Sequence, residues 1–144
     1  MYSEILFPTD GGPASQAALD HALDHAKRYD ARLHTLYVVD TTAYASLDAG
    51  AETVISALRQ EGETALQEVA ERAEAADVSV VSEIISGSPH KQLIDYAERH
   101  GIDLIVMGTH GRTGLDRYLL GSVTERVVRT ADMPVLTVRV TDDE

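Results

Sequence analysis

The sequence predicts an α/β fold, a five-stranded parallel sheet wound twice into a three-layer α/β/α sandwich. Two observations predict it, the alternation of segments and the length with its apolar content. Apolar runs of strand length alternate with helix-period segments in the order β-α-β-α-β-α-β-α-β. Such alternation implies right-handed crossovers and a sheet covered by helices on both faces. The length, 144 residues with 44% hydrophobic, suits one domain over residues 1–144 without repeat or linker.

The elements follow in order. Ile5-Leu6-Phe7 is a short apolar strand that runs into the breaker cluster Pro8-Thr9-Asp10-Gly11-Gly12-Pro13. From Ala14, apolar residues recur at Ala18, Ala22, Ala26 and Tyr29, a helix with a closely packable face. Leu33 to Val39 is the next strand, ended by Asp40, and the small and polar residues 41–50 read as a mobile loop. A long helix follows, with Val54, Ile55, Leu58, Ala65, Leu66, Val69 and Ala73 on one stripe. Asp48 to Asp77 holds eight acids against two arginines, so the outer face of this helix carries much of the negative charge.

The β-branched run Val78–Ile85 predicts a strand. Gly87-Ser88-Pro89 then supplies a turn, an N-cap and a proline at the first helical position. That helix passes Leu93, Ile94 and Ala97 and stops at Gly101. Asp103-Leu-Ile-Val-Met107 is apolar enough for burial on both faces. A glycine-rich loop from Gly108 to Gly121 leads to a helix near Ser122. Pro134–Val140 is the last strand, and residues 141–144 form a polar tail.

Composition narrows the function. Acids outnumber bases 24 to 12, a net charge of −12. A protein that neutralises nucleic-acid phosphates needs a broad basic surface, so nucleic acid is not an expected partner. The absence of cysteine excludes disulfides, thiolate metal sites and a Cys nucleophile. No run approaches the ~18 apolar residues of a membrane span, and the first residues lack the layout of a signal peptide. No membrane partner and a cytoplasmic location are therefore expected. Only Lys27 and Lys91 are lysines among the basic residues. High acid with little lysine fits a halophilic, salt-adapted protein, for which screening blunts self-repulsion; GC-rich codon bias is the plainer reading.

In a doubly wound sheet, ligands bind beyond the carboxyl ends of the strands where the winding reverses. That rule selects the loops after the first and fourth strands, which are also the two richest in glycine. At Gly108, directly after a buried strand, a missing side chain would let a ligand approach the backbone. A valine there is then expected to abolish binding with the fold intact. Gly111 and Gly114 permit positive φ, so that successive N–H groups can cradle an anion. Ser122 and Glu125 have the spacing of a capping box, and the free amides of that helix start would make a second phosphate-sized site. Gly108 to Thr130 carries four arginines against Asp116 and Glu125, a balance of +2 that leaves −14 for the rest of the chain. Neither a P-loop nor a G-x-G-x-x-G fingerprint is present.

Gly108-x2-Gly111-x9-Gly121-Ser122 resembles the nucleotide-binding signature of the universal stress protein family, in its ATP-binding branch. The resemblance extends over the whole chain through Ile5-Leu-Phe-Pro-Thr-Asp10, Tyr37-Val-Val-Asp40, Gly87-x-Pro89 and Pro134-Val-Leu136. It implies an adenine nucleotide alpha-hydrolase-like fold with sheet order 3-2-1-4-5. It also implies a homodimer paired through the last strand, about Val135–Val140, and a role in stress response with an unidentified protein partner. Carried over residue by residue, it implies Pro8, Thr9, Asp10 and Val38 around adenine and ribose, with Asp10 accepting ribose hydroxyls. Met107, Gly108, Gly111, Gly121, Ser122, Val123 and Thr124 would surround ribose and phosphates, and Mg²⁺ or Mn²⁺ would bridge the phosphates without an assigned protein ligand. Arg112 and Arg117 are candidates for the outer phosphates or for a solvated face.

Other residues have plainer readings. His21 and His25 have metal-ligand spacing but no third partner, and Ala22 stands where a zinc protease has its glutamate. His110 is an exposed loop histidine or a phosphate contact, and Tyr44 is a possible cover for the base. Asp10 with Asp40 resembles a carboxylate pair, but ribose contact and strand-end capping explain both. Three functions compete. One is an ATP-binding homodimer that senses or regulates; another is a slow Mg²⁺-dependent ATPase, for which no evident base or P-loop lysine is found. The third is a dimerisation module that binds AMP, cyclic AMP or nothing.

Overall fold

A computed structural model describes residues 1–41, 50–109 and 122–139. In chain order the elements are β1 (Glu4–Pro8), α1 (Pro13–Tyr29), β2 (Arg32–Asp40), α2 (Gly50–Ala75), β3 (Val80–Gly87), α3 (Pro89–Arg99), β4 (Leu104–Thr109), α4 (Ser122–Thr130) and β5 (Val135–Arg139). The five strands form one sheet in the order β3-β2-β1-β4-β5, and every neighbouring pair is parallel. This is the fold class and the strand order that the sequence and its resemblance imply.

The layers follow from the two-residue period of a strand buried on both faces. Ile5 and Phe7 of β1 pack with Leu33, Leu104 and Val106 against α1 and against Val69 and Ala73 of α2. Leu6, Leu36, Ile105 and Met107 point the other way, onto Leu93, Tyr96 and Ala97 of α3 and Val127 of α4. The alanines at 18, 22 and 26 are buried, which lets α1 lie close to the sheet.

Several boundaries move, each for a local reason. The strand expected from Val78 starts at Val80. Asp77 takes the left-handed conformation (φ 62°) and the Val78 N–H bonds back to the Ala73 carbonyl, so these residues close α2. β4 runs on through Gly108 and Thr109, which pair with Val138 and Arg139. Ser88 stands at the N-cap of α3, followed by Pro89, but its side chain makes no capping bond. Ser122 is the first helical residue of α4, and Glu125 in its first turn pairs with Arg129 at 3.1 Å. Residues 42–49, the expected loop, lie outside the described residues, and Gly50 already belongs to α2. The tail 141–144 lies outside them as well.

Candidate functional site

β1 and β4 lie side by side in the sheet, yet the chain leaves them for helices on opposite faces. A crevice beyond their carboxyl ends is the consequence. The structure has a cavity of about 170 Å³ there, and it brings together eight of the residues expected at a ligand site: Pro8, Thr9, Asp10, Val38, Met107, Gly108, Val123 and Thr124. Ser122 is exposed at the start of α4 and does not line this cavity. Gly111, Arg112, Gly114, Arg117 and Gly121 fall outside the described residues, as do His110 and Tyr44.

Ala14, Ser15, Leu36, Pro89 and Leu93 are the other described residues of the lining. The glycine spacing says nothing of them, but simple periods do. Leu36 lies two residues from Val38 and so shares its face of β2, and Leu93 sits one turn beyond Pro89 on α3. Leu36, Val38, Leu93, Met107 and the two prolines give apolar walls. Thr9, Asp10, Ser15 and Thr124 add the polar groups, and Asp10 brings the one charge of the described lining. The first turns of α1, α3 and α4 all reach the cavity through Ala14 and Ser15, Pro89, and Val123 and Thr124. Helix starts present unpaired amides and positive dipole ends, which favour a negative group.

The polar side chains are held by short-range bonds. The Thr9 hydroxyl accepts the Gly11 N–H at 3.0 Å, and Gly11 has φ 79°, a turn that favours glycine. Asp10 Oδ1 accepts the Gly12 N–H at 2.8 Å and the Ser15 hydroxyl at 2.9 Å. The Thr124 hydroxyl donates to the Gly108 carbonyl at 3.2 Å and ties α4 to the end of β4. On the α2 side, burial holds the Tyr37 phenol above its usual range, and the Glu61 and Asp10 carboxylates add to the effect. It therefore stays neutral at any ordinary pH.

Gly108 corrects one expectation. A Cβ built there lies 2.3 Å from the Ala14 carbonyl oxygen and 2.5 Å from its carbon. The missing side chain makes room for the first turn of α1, and Gly108 meets the cavity with its backbone. A valine at this position is thus a packing lesion before it is a ligand block. The paired histidines resolve too: His25 Nδ1 donates to the His21 carbonyl at 2.8 Å, and its ring stacks on Tyr29. Among the described residues no group of three could hold a metal ion.

Residues 1–139 match the universal stress protein family. The chain belongs to the universal stress protein family. Universal stress protein MJ0531 of Methanocaldococcus jannaschii is 43% identical over 141 residues, covering 96% of this chain and 83% of that one. The solved structure of MJ0577, a universal stress protein of the same organism, superposes with a TM-score of 0.87 at 31% identity and covers 99% of both chains. A universal stress protein solved in complex with cAMP superposes with a TM-score of 0.72 at 27% identity, over 96% of this chain and 97% of that one. Across family members of this likeness, the whole doubly wound sheet is the shared unit.

Proposed function

We propose that the protein binds an adenine nucleotide, ATP foremost, in the cavity between β1, β4 and the starts of α1, α3 and α4. With nucleotide bound there, the protein acts in the cytoplasm as a sensor or regulator in stress response. One observation carries it: apolar walls, the Asp10 carboxylate and three helix starts meet in one crevice. The walls suit a flat heterocycle, the carboxylate suits sugar hydroxyls, and the helix starts suit a phosphate tail. In this reading Pro8, Thr9, Asp10 and Val38 hold the nucleoside. Met107, Gly108, Val123 and Thr124 lie along ribose and the first phosphate, while Gly111, Arg112, Gly121 and Ser122 meet the outer phosphates. Mg²⁺ or Mn²⁺ would neutralise the phosphates, since a hard cation prefers oxygen ligands.

Calorimetric titration with ATP, AMP and cyclic AMP in Mg²⁺ and high salt tests this. The expected result is saturable ATP binding without phosphate release; no binding of any adenine nucleotide overturns it. The solved complex of a family member with cAMP favours a second reading, in which cyclic AMP or AMP binds more tightly than ATP. Steady phosphate release, abolished by Gly121→Val, marks a slow ATPase instead.

The homodimer is proposed through β5. This strand ends the sheet, and Val135 to Val138 are only half-buried. An edge left so apolar invites pairing with a second copy. Sedimentation at twice the 15.6 kDa chain mass is expected, and a monomer removes this part of the reading. The described residues contain no helix long and apolar enough to cross a membrane. The acid-rich, lysine-poor composition supports salt adaptation, for which thermal stability rises from about 0.1 M to about 1 M salt as screening tightens.

A further inference from the structure

We propose that Ser15 is a positioning residue that fixes the Asp10 carboxylate for reading the sugar hydroxyls of the bound nucleotide. This deepens the nucleotide reading above and rests on it. α1 opens with Gly12 at its N-cap, which has no side chain to cap with. The third helical residue, Ser15, reaches back instead. Its hydroxyl accepts the Asp10 N–H at 3.2 Å and donates to Asp10 Oδ1 at 2.9 Å. The same oxygen accepts the Gly12 N–H at 2.8 Å. One hydroxyl thus holds both the backbone and the side chain of Asp10, while a second donor on Oδ1 fixes the carboxylate plane.

The burial is consistent with that task. Ser15 is buried at 7% exposure, whereas Asp10 is exposed, and both line the cavity. A carboxylate on an exposed loop loses rotamer freedom when it grips a diol, which weakens binding. Ser15 sets the rotamer before the ligand arrives. The effect belongs to the sugar and not to the base or phosphates, because among the described residues the Ser15 hydroxyl bonds to Asp10 alone.

The experiment compares ATP with 2′,3′-dideoxy-ATP, which keeps base and triphosphate and lacks both hydroxyls. Wild type is expected to prefer ATP. Ser15→Ala should weaken ATP by about tenfold, the scale of one hydrogen bond to a charged group, and leave the dideoxy compound unchanged. On an Asp10→Asn background the same substitution should leave the ratio of the two affinities where it is. Circular dichroism confirms that α1 persists in each variant. Equal losses for both nucleotides would show a merely structural serine, and an unchanged ATP affinity would also overturn the proposal. A wild type that binds both compounds alike removes the sugar-reading role of Asp10 and the proposal, but keeps the nucleotide site. A wild type that binds neither removes the nucleotide reading itself.

Discussion

Substituting Gly108 by alanine separates two roles for this glycine. The Cβ would stand 2.3 Å from the Ala14 carbonyl oxygen, 2.5 Å from its carbon and 3.0 Å from its Cβ. Ordinary contact between such atoms begins near 3.4 Å, so about 1 Å of separation must be found. The obstacle is backbone, and no rotamer change relieves it. Either the first turn of α1 lifts from the sheet or β4 retreats from its pairing with Val138. Overpacking of this kind costs about 1–3 kcal/mol, and an immovable partner puts it at the upper end. The ~0.5–1 kcal/mol that alanine gains over glycine in a strand does not offset it. A net loss of about 2 kcal/mol is expected for alanine and more for valine, out of the ~5–15 kcal/mol of a typical domain. Urea unfolding measures it: the midpoint falls by about 1 M with the slope unchanged. An alanine variant as stable as wild type that has lost nucleotide affinity would refute the packing argument and restore the ligand-approach role.

Three further perturbations test the packing and the electrostatics. Gly62 lies in the middle of α2, where alanine ordinarily adds about 1 kcal/mol of helix stability, yet its Cβ would stand 2.6 Å from Tyr37 Cδ1. Gly62→Ala is therefore expected to lower the thermal midpoint, and a rise would mean that the ring has room to move. The Thr35 hydroxyl is fully buried and has no partner among the described residues. Thr35→Val should stabilise by about 1 kcal/mol and raise the midpoint a few degrees; a fall would reveal a buried water on that hydroxyl. The Arg32 guanidinium beside Glu4, with a further bond from His34, holds the Glu4 carboxyl below its usual range despite some burial. With the folded value depressed, the unfolded chain binds more protons, so the contribution is present above about pH 4.5 and fades as the solution is acidified further. Glu4→Gln should cost stability at neutral pH, and its difference from wild type should shrink in acid; a constant difference would discount the Arg32 pairing.

The layers were legible because burial on both faces writes itself into the strands. Ile5 and Phe7 against Leu6 already divide the two cores. What stayed hidden depends on contacts that local sequence does not encode. Gly108 and Thr109 look like a loop, and they are held in β4 by a ladder to Val138 and Arg139. Val78 looks like a strand, and it closes α2 because Asp77 turns left-handed. Eight of the expected site residues meet in one cavity, since β1 and β4 are neighbours in the sheet order. Ser15 is not legible, because a serine at helical spacing reads as helix and its bonds back to Asp10 form only when the loop folds over the start of α1.

The two ends of the sheet are built on different principles. At the amino end, the Asp103 carboxylate accepts the Ser3 and Glu4 amides, at 3.1–3.3 Å. Glu4 pairs with Arg32 through both oxygens, at 3.1 and 3.2 Å, and accepts from His34 Nε2 at 2.6 Å. With that nitrogen donating, His34 Nδ1 accepts the Tyr96 hydroxyl at 2.8 Å, and the Tyr96 ring stacks on His100 at 3.8 Å. These bonds tie β1, β2, β4 and α3 across long stretches of chain, so this end closes on itself. At the carboxyl end, the Thr9 hydroxyl accepts the Gly11 amide and the Asp10 carboxylate accepts the Gly12 amide and the Ser15 hydroxyl, while the Thr9 N–H donates to the Leu36 carbonyl of β2 and the Thr124 hydroxyl to the Gly108 carbonyl. The loop bonds shape the mouth of the cavity, which the starts of α3 and α4 also line. A ligand that bridges the loop and the starts of α3 and α4 binds only the folded chain, and so raises its stability by RT ln(1 + c/Kd), an increment that grows with the ligand concentration c.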